Sequence, residues 1–383
     1  MISPEFFCQS LSKQDISFFT GVPDSLLKDI CAYVTDTLAV ENHKITANEG
    51  SAIGLAIGYH ISSKKLALVY MQNSGLGNAV NPITSLADKK IYSVPMMLLI
   101  GWRGEPGLVD EPQHIKQGMI TEELLNLLDI PYAVIDKHTN DDEIYKIIKK
   151  QKEIAYKKMS PVALLVKKGT FLPYKMLSVS EDDTNFPTAN TMSRTEVIDY
   201  YVRLESNHIV VSTTGVTSRE LLASRIRNKK DSNGDFLTVG GMGHASQIAL
   251  GIAMNKKSTN IICLDGDGAL LMHMGSLASI ADSGPKNYHY ILLNNCVHDS
   301  VGGQPIAAKN SDFLKTAESL GFKKTYRIKN KKELSKLNKI FEENGPTFTE
   351  IMIKPGFPSE LIRPDKTPLE NKSSFEGYLK NCT

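Results

Sequence analysis

IICLDGDGALLMHMGSLASIADSGPKNYHYILLNN, residues 261–295, decides how this chain is read. It opens on an unbroken apolar run, Ile261–Leu264, that stops at Asp265-Gly266-Asp267-Gly268-Ala269. A helical pattern, Leu270–Asp282, follows, and a second apolar run, Tyr290–Leu293, ends at Asn294-Asn295. Apolar runs without polar alternation belong to strands covered on both faces, and strand–helix–strand is the parallel crossover unit. Successive parallel strands end at the same sheet edge, so Asp267 and Asn295 are expected as neighbours where such sheets bind their ligands.

The same pattern extends in both directions. Further strands are expected at Ile16–Phe19, Ile45–Ala47, Leu66–Met71, Met96–Ile100, Tyr132–Ile135 and Val162–Val166, and at His208–Ser212, Phe236–Val239, Lys324–Ile328 and Phe348–Ile353. Six per half give an α/β fold of two doubly wound parallel-sheet domains. Between them Ser178–Ser193 has acids, Pro and Asn but no apolar period, and reads as a linker. The expected division is 1–177, linker 178–193, and 194–383, with no room for a middle domain.

The bulk numbers narrow the classes. The 383 residues are 41% apolar and 22% charged, with a net charge of +2, an ordinary globular mixture. The Lys-rich stretch Lys146–Lys158 alternates with Ile and Ala as a solvated helix face does, so no nucleic-acid partner is expected. Met96–Ile100 and Leu66–Tyr70 are far too short to cross a bilayer, and Met1–Ser12 lacks a signal-peptide pattern, so no membrane partner is expected either. Cys8, Cys31, Cys263, Cys296 and Cys382 are scattered without a CxxC pair, which suits thiols in a reducing cytoplasm.

The glycines around Asp267 allow a sharp turn and close backbone approach, and the following helix would offer N–H groups to a phosphate. A hard cation between that phosphate and the Asp267 carboxylate would relieve their repulsion, and Mg²⁺ takes oxygen ligands of this kind. Alone, Gly-Asp-Gly also reads as a plain tight turn. Together with Asn294-Asn295 one crossover later, the chain resembles the thiamine diphosphate enzyme superfamily. The resemblance implies thiamine diphosphate and Mg²⁺ as cofactors, with Asp267, the side chain of Asn295 and the carbonyl of Val297 on the metal, and Gly266, Gly268 and Ala269 near the diphosphate.

Other segments take roles from the same resemblance. In Val239-Gly240-Gly241-Met242-Gly243-His244-Ala245, Met242 would wedge the cofactor into its bent form and the Gly240 carbonyl would accept from its pyrimidine amine. Without the resemblance, Met242 reads as core filler. Gly215, in Thr213-Thr214-Gly215, is placed like a diphosphate contact. Thiamine chemistry also needs a carboxylic acid against the pyrimidine ring, in a pocket apolar enough to raise its pKa. Glu49, in Thr46-Ala47-Asn48-Glu49-Gly50-Ser51, follows a strand and opens a small-residue helix with little polar company. A Glu there is ordinarily a dipole-favoured cap; the resemblance makes it the catalytic acid. The loop Asn73-Ser74-Gly75-Leu76-Gly77-Asn78, with Asn73 and Gly75, resembles a family element near the cofactor. In the family the cofactor lies between the first domain of one subunit and the second of its partner, which implies a homodimer or higher homo-oligomer.

Gly21–Ser25, Gly101–Gly107, Asp110–His114, Thr214–Glu220 and His298–Gln304 resemble phosphonopyruvate decarboxylases over nearly the whole chain. A small dianionic 2-oxo acid calls for cationic and amide donors. Arg103, Arg219, His114, Lys116 and Gln304, with Asp24 and Ser25, lie on loops expected at strand ends, although surface ion pairs would use the same cations. His114, then His298, are the candidates for delivering the proton that replaces the lost carboxylate. Sulfopyruvate decarboxylase uses the same machinery and remains the rival, with a non-catalytic partner subunit as the rival from another class. No GxGxxG follows the first strand of either half, which disfavours a nicotinamide-binding fold.

Overall fold

The computed structural model of the chain describes residues 1–177, 192–204, 208–308 and 310–382. Fourteen strands occur among them: β1 Phe18–Gly21, β2 His43–Ile45, β3 Ala67–Gln72, β4 Met97–Gly101, β5 Tyr132–Ile135, β6 Val162–Val166, β7 Ile209–Ser212, β8 Asp235–Leu237, β9 Ile261–Gly266, β10 Tyr288–Asn294, the two-residue β11 Val297–His298 and β12 Gln304–Pro305, then β13 Lys324–Ile328 and β14 Thr347–Met352. They belong to two compact units, Met1–Ser180 with Gln304–Ala307, and Glu181–Gly303 with Ala308–Thr383.

Each unit holds one six-stranded sheet. The orders are β2-β1-β3-β4-β6-β5 and β13-β14-β10-β9-β7-β8. Renumbered within its own half and read from its other end, the second order becomes 2-1-3-4-6-5, identical to the first. Every neighbouring pair is parallel. The two halves therefore share one topology, as the expected α/β class requires.

The central strands are apolar without alternation because both faces are covered. In the first unit Leu68, Tyr70, Leu99 and Leu164 pack on one side with Ile144 and Ile148. Val69, Leu98, Ile100 and Leu165 pack on the other with Ile53 and Leu76. In the second unit Ile262, Leu264, Ile291 and Leu293 meet Val197, Ile198, Leu337 and Ile340. Truncating one such Leu to Ala would cost about 2–5 kcal/mol, through lost transfer energy and the cavity left behind.

All twelve expected strands form, with three departures in detail. β2 is His43–Ile45, not Ile45–Ala47: the Thr46 amide makes the last ladder bond, to the Gly21 carbonyl at 2.9 Å, and the Thr46 hydroxyl then donates to the Asn48 carbonyl at 3.0 Å as the chain turns toward the next helix. The helix expected over Leu270–Asp282 begins earlier and is two helices, Asp267–Met272 and Ser276–Ser283, broken at His273, where the backbone leaves helical geometry (φ −140°, ψ 46°). Most of the expected linker, 178–191, lies outside the described residues. Its last two residues are structured: Met192 bridges to Ile353, and Ser193 caps helix Arg194–Arg203 in a capping box with Glu196. Among the described residues no helix is long and apolar enough to cross a membrane.

Candidate active site

In the first unit Glu49 is the first residue of helix Glu49–Ser63. Asn48 caps that helix, its side chain accepting from the Ser51 amide at 2.9 Å. Glu49 is only 5% exposed, yet it is not without polar company as the sequence suggested. Asn78 Nδ2 donates to Glu49 Oε2 at 2.8 Å, so the loop singled out beside it supplies its partner. Gly75 lies under the same carboxylate: a Cβ there would come within 2.5 Å of Glu49 Oε1. Asn73 is buried and fixes the next loop, donating to the Arg103 carbonyl at 2.8 Å and to Thr121 Oγ1 at 2.9 Å.

Arg103 follows the carboxyl end of β4 and is held from several directions. Its Nε donates to Asp110 Oδ2 at 2.8 Å, a second nitrogen donates to the other Asp110 oxygen, and Nη1 donates to Ser25 Oγ at 2.8 Å. Burial opposes ionisation of Asp110, but donors from Arg103, Glu111 and Gly104 outweigh it and hold that carboxyl well below its usual range. Asp24 is in the opposite state. Burial pushes it up to about 6, its Oδ2 accepts from the Leu26 amide at 2.9 Å, and its buried Oδ1 has no partner among the described residues. Gly101 leaves room for it, since a Cβ there would meet Asp24 Oδ2 at 2.1 Å. His114 is lowered by burial and then by Arg103, with Nδ1 unpartnered, while Lys116 is exposed. Gln304 is buried, donating to the Lys28 carbonyl at 3.4 Å and leaving Oε1 without a partner.

The second unit forms a corner at the carboxyl ends of β9 and β10. Asp267 Oδ1 accepts from the Gly268 amide at 2.7 Å, and Oδ2 accepts from the amides of Asn295 and Cys296 at 3.2 and 2.6 Å. The expected neighbours thus meet. Burial pushes Asp267 up to about 7. Asn295 Nδ2 donates to Asp299 Oδ2 at 2.6 Å, while its Oδ1 accepts from the Val297 amide at 3.2 Å. Arg194 donates to Asp299 at 2.7 Å and to Glu220 at 3.1 Å. Three carboxylates, those of Asp267 and Glu220 buried and that of Asp299 partly so, therefore stand against one guanidinium, leaving two formal negative charges in excess when all are ionised. A divalent cation would offset that excess, and side-chain and carbonyl oxygens are the donors Mg²⁺ prefers. Among the described residues no three His, Cys, Asp or Glu side chains cluster as a metal site of another kind.

Gly268 separates two other expected residues: a Cβ on it would meet His298 Cε1 at 2.9 Å and Met242 Cε at 3.3 Å. His298 is lowered to about 4 by burial and is neutral. Gly240 and Met242 lie in the turn before helix Ala245–Asn255. Ala269 is buried, and its carbonyl would lie 2.9 Å from a Cβ on Gly243. Gly215 caps helix Val216–Arg227 with φ +87°, where a side chain would be strained, and nothing in the structure lies within 4 Å of its Cβ position. Gly266 is similarly open. Arg219 is tied to the carboxy-terminal segment, donating to the carbonyls of Leu361 and Ile362. Asn78, Arg194, Asp299 and Glu220 carry no role in the sequence reading. Asn78 lay within a loop already singled out, Asp299 and Glu220 within quoted motifs, and Arg194 gave no local signal.

Two sheets of one order, a buried acid at a helix start and a Gly-Asp-Gly corner facing Asn-Asn define a thiamine diphosphate (pyrophosphate) enzyme. Family models agree: residues 4–126 match the thiamine pyrophosphate enzyme N-terminal TPP binding domain, and 215–351 match the C-terminal TPP binding domain. Phosphonopyruvate decarboxylase of Streptomyces viridochromogenes is 30% identical over 99% of this chain and 95% of its own. Sulfopyruvate decarboxylase of Methanosarcina acetivorans is 26% identical over 93% of this chain and 92% of its own. Sulfopyruvate decarboxylase subunit alpha of Methanococcus maripaludis is 34% identical over 43% of this chain and 95% of its own. The chain belongs to the phosphonopyruvate decarboxylase family of thiamine diphosphate-dependent carboxy-lyases.

Proposed function

We propose that the chain converts 3-phosphonopyruvate to 2-phosphonoacetaldehyde and carbon dioxide, as a step of phosphonate (2-aminoethylphosphonate) biosynthesis. The observation that carries this reading is the full-length likeness to a phosphonopyruvate decarboxylase, at higher identity and coverage than to the full-length sulfopyruvate enzyme. The first unit supports it with a preorganised guanidinium, Arg103, beside Ser25 and His114, a chemistry suited to a phosphonate.

Thiamine diphosphate, when bound, supplies the electron sink that lets the carboxylate leave. Mg²⁺ would be held by Asp267, the Asn295 side-chain oxygen and the Val297 carbonyl, with Gly215 and Gly266 leaving space for the diphosphate and Gly268 and Ala269 beside it. Met242 and the Gly240 carbonyl would seat the organic part. Glu49 would hold a proton against the pyrimidine ring, fixed in place by Asn78. Asp24, His114 and His298 are the groups available to hold or move the proton that replaces the lost carboxylate. A dianionic substrate beside the neutral histidines would favour their cationic forms. Gln304, Lys116 and Arg219 complete the proposed donors for the substrate, Arg219 only where its carbonyl partners leave an N–H free. The complete enzyme would be a homodimer or larger homo-oligomer.

The test is carbon dioxide release from phosphonopyruvate, sulfopyruvate and pyruvate at matched concentrations, with enzyme stripped of metal and cofactor and then reloaded. Phosphonopyruvate is expected to give the largest kcat/KM. A larger value for sulfopyruvate would transfer the assignment to that substrate, which the Methanosarcina relative supports.

A further inference from the structure

Asn295 cannot orient itself. An amide side chain presents either oxygen or nitrogen to a neighbour, and only the oxygen can bind a cation. In the second unit Nδ2 is committed to Asp299 Oδ2 at 2.6 Å, which forces Oδ1 to the other side, where it accepts a longer bond from the Val297 amide at 3.2 Å. Asp299 is itself fixed: Arg194 donates to it at 2.7 Å, and the Gly356 amide donates to its Oδ1 at 2.9 Å. Arg194 is anchored in turn by Glu220, whose second oxygen accepts from Thr195 Oγ1 at 2.8 Å.

We propose that Asp299, locked by Arg194, is the positioning residue that holds the Asn295 amide with its oxygen toward a divalent cation. The juxtaposition has a chemical logic. A carboxylate only accepts, so it selects the NH₂ end of the amide and rejects the carbonyl end. Arg194 and the Asn295 amide both donate to the same Asp299 oxygen, Oδ2, so that oxygen faces two donors and no acceptor. The Arg194–Glu220 pair carries this setting to helix Val216–Arg227, which Gly215 caps. The inference rests on the reading that Asp267 and Asn295 bind the metal, and the experiment separates the two.

Mn²⁺ affinity is measured by loss of the free-ion paramagnetic resonance signal, at fixed thiamine diphosphate, on the full chain and its variants. D267N is the reference: if it binds Mn²⁺ as tightly as the parent, the metal reading itself fails. With D267N impaired, D299A is expected to weaken Mn²⁺ binding by about 10–100-fold, the usual effect of losing an outer partner of a metal ligand. D299N keeps one oxygen for the Asn295 amide and is expected to fall between D299A and the parent. In an N295A background, D299A should add no further loss, because its effect passes through the missing amide. A merely structural Asp299 would weaken binding equally in both backgrounds. That result, or a D299A enzyme with parental affinity, overturns the proposal. If D299A does not fold, the same cycle is run with D299N, whose smaller loss must likewise vanish when Asn295 is absent.

Discussion

Asn78 Nδ2 donates to Glu49 Oε2 at 2.8 Å, joining a helix start and a loop 29 residues apart. The other carboxylate oxygen, Oε1, lies above Gly75, where no side chain fits without displacing the carboxylate. The position of the Glu49 carboxylate is thus set by two residues that carry no charge.

Glu49→Gln should bind thiamine diphosphate with near-parental affinity by calorimetry and lose about 10²–10⁴ in kcat, the scale of a lost proton-transfer group. Parental turnover would remove Glu49 from the chemistry.

Gly75→Ala should leave the melting temperature nearly unchanged, because the residue's φ of −69° suits alanine and the obstruction is a movable side chain. Its kcat should drop through displacement of Glu49. A large fall in stability with intact kcat in the folded fraction would contradict this account.

Hybrid enzymes test where the halves of the site reside. If each site draws Glu49 from one subunit and Asp267 from another, mixing inactive E49Q and D267N chains and allowing exchange should restore about a quarter of parental activity, from one intact site in each mixed dimer. A site contained within single chains gives no recovery.

Acid should destabilise the second unit through its buried histidines. His208 and His289 are both lowered to about 4 by burial. The unfolded chain therefore takes up their protons between pH 6.5 and about 4 while the folded chain does not, so stability is full above 6.5 and falls as pH drops through that window. Each contributes a loss of up to about 3 kcal/mol. His289→Phe, placed beside Phe341, should flatten the pH dependence of thermal unfolding between pH 6.5 and 4.5. An unchanged slope would refute the assignment.

Most of the fold was legible because two-sided burial writes itself as unbroken apolar runs. β6, VALLV, is buried at every position and was found to the residue. β2 was not, since its residues are partly buried or exposed and its limit is set by where its partner β1 ends, at Gly21. The break at His273 was hidden because the apolar spacing continues through it. Within the site, Asp267 and Glu49 could be read because local motifs surround them. Asp299 and Arg194 could not, being 105 residues apart and meaningful only once folded. Ion-pair partners at such separation leave no periodic trace.

The repeated strand order has an evolutionary corollary. Each sheet closes its own ladder without borrowing from the other, so a gene split between them would deprive neither product of a strand neighbour. Cutting the chain between the two sheets would break no rung of either six-stranded ladder.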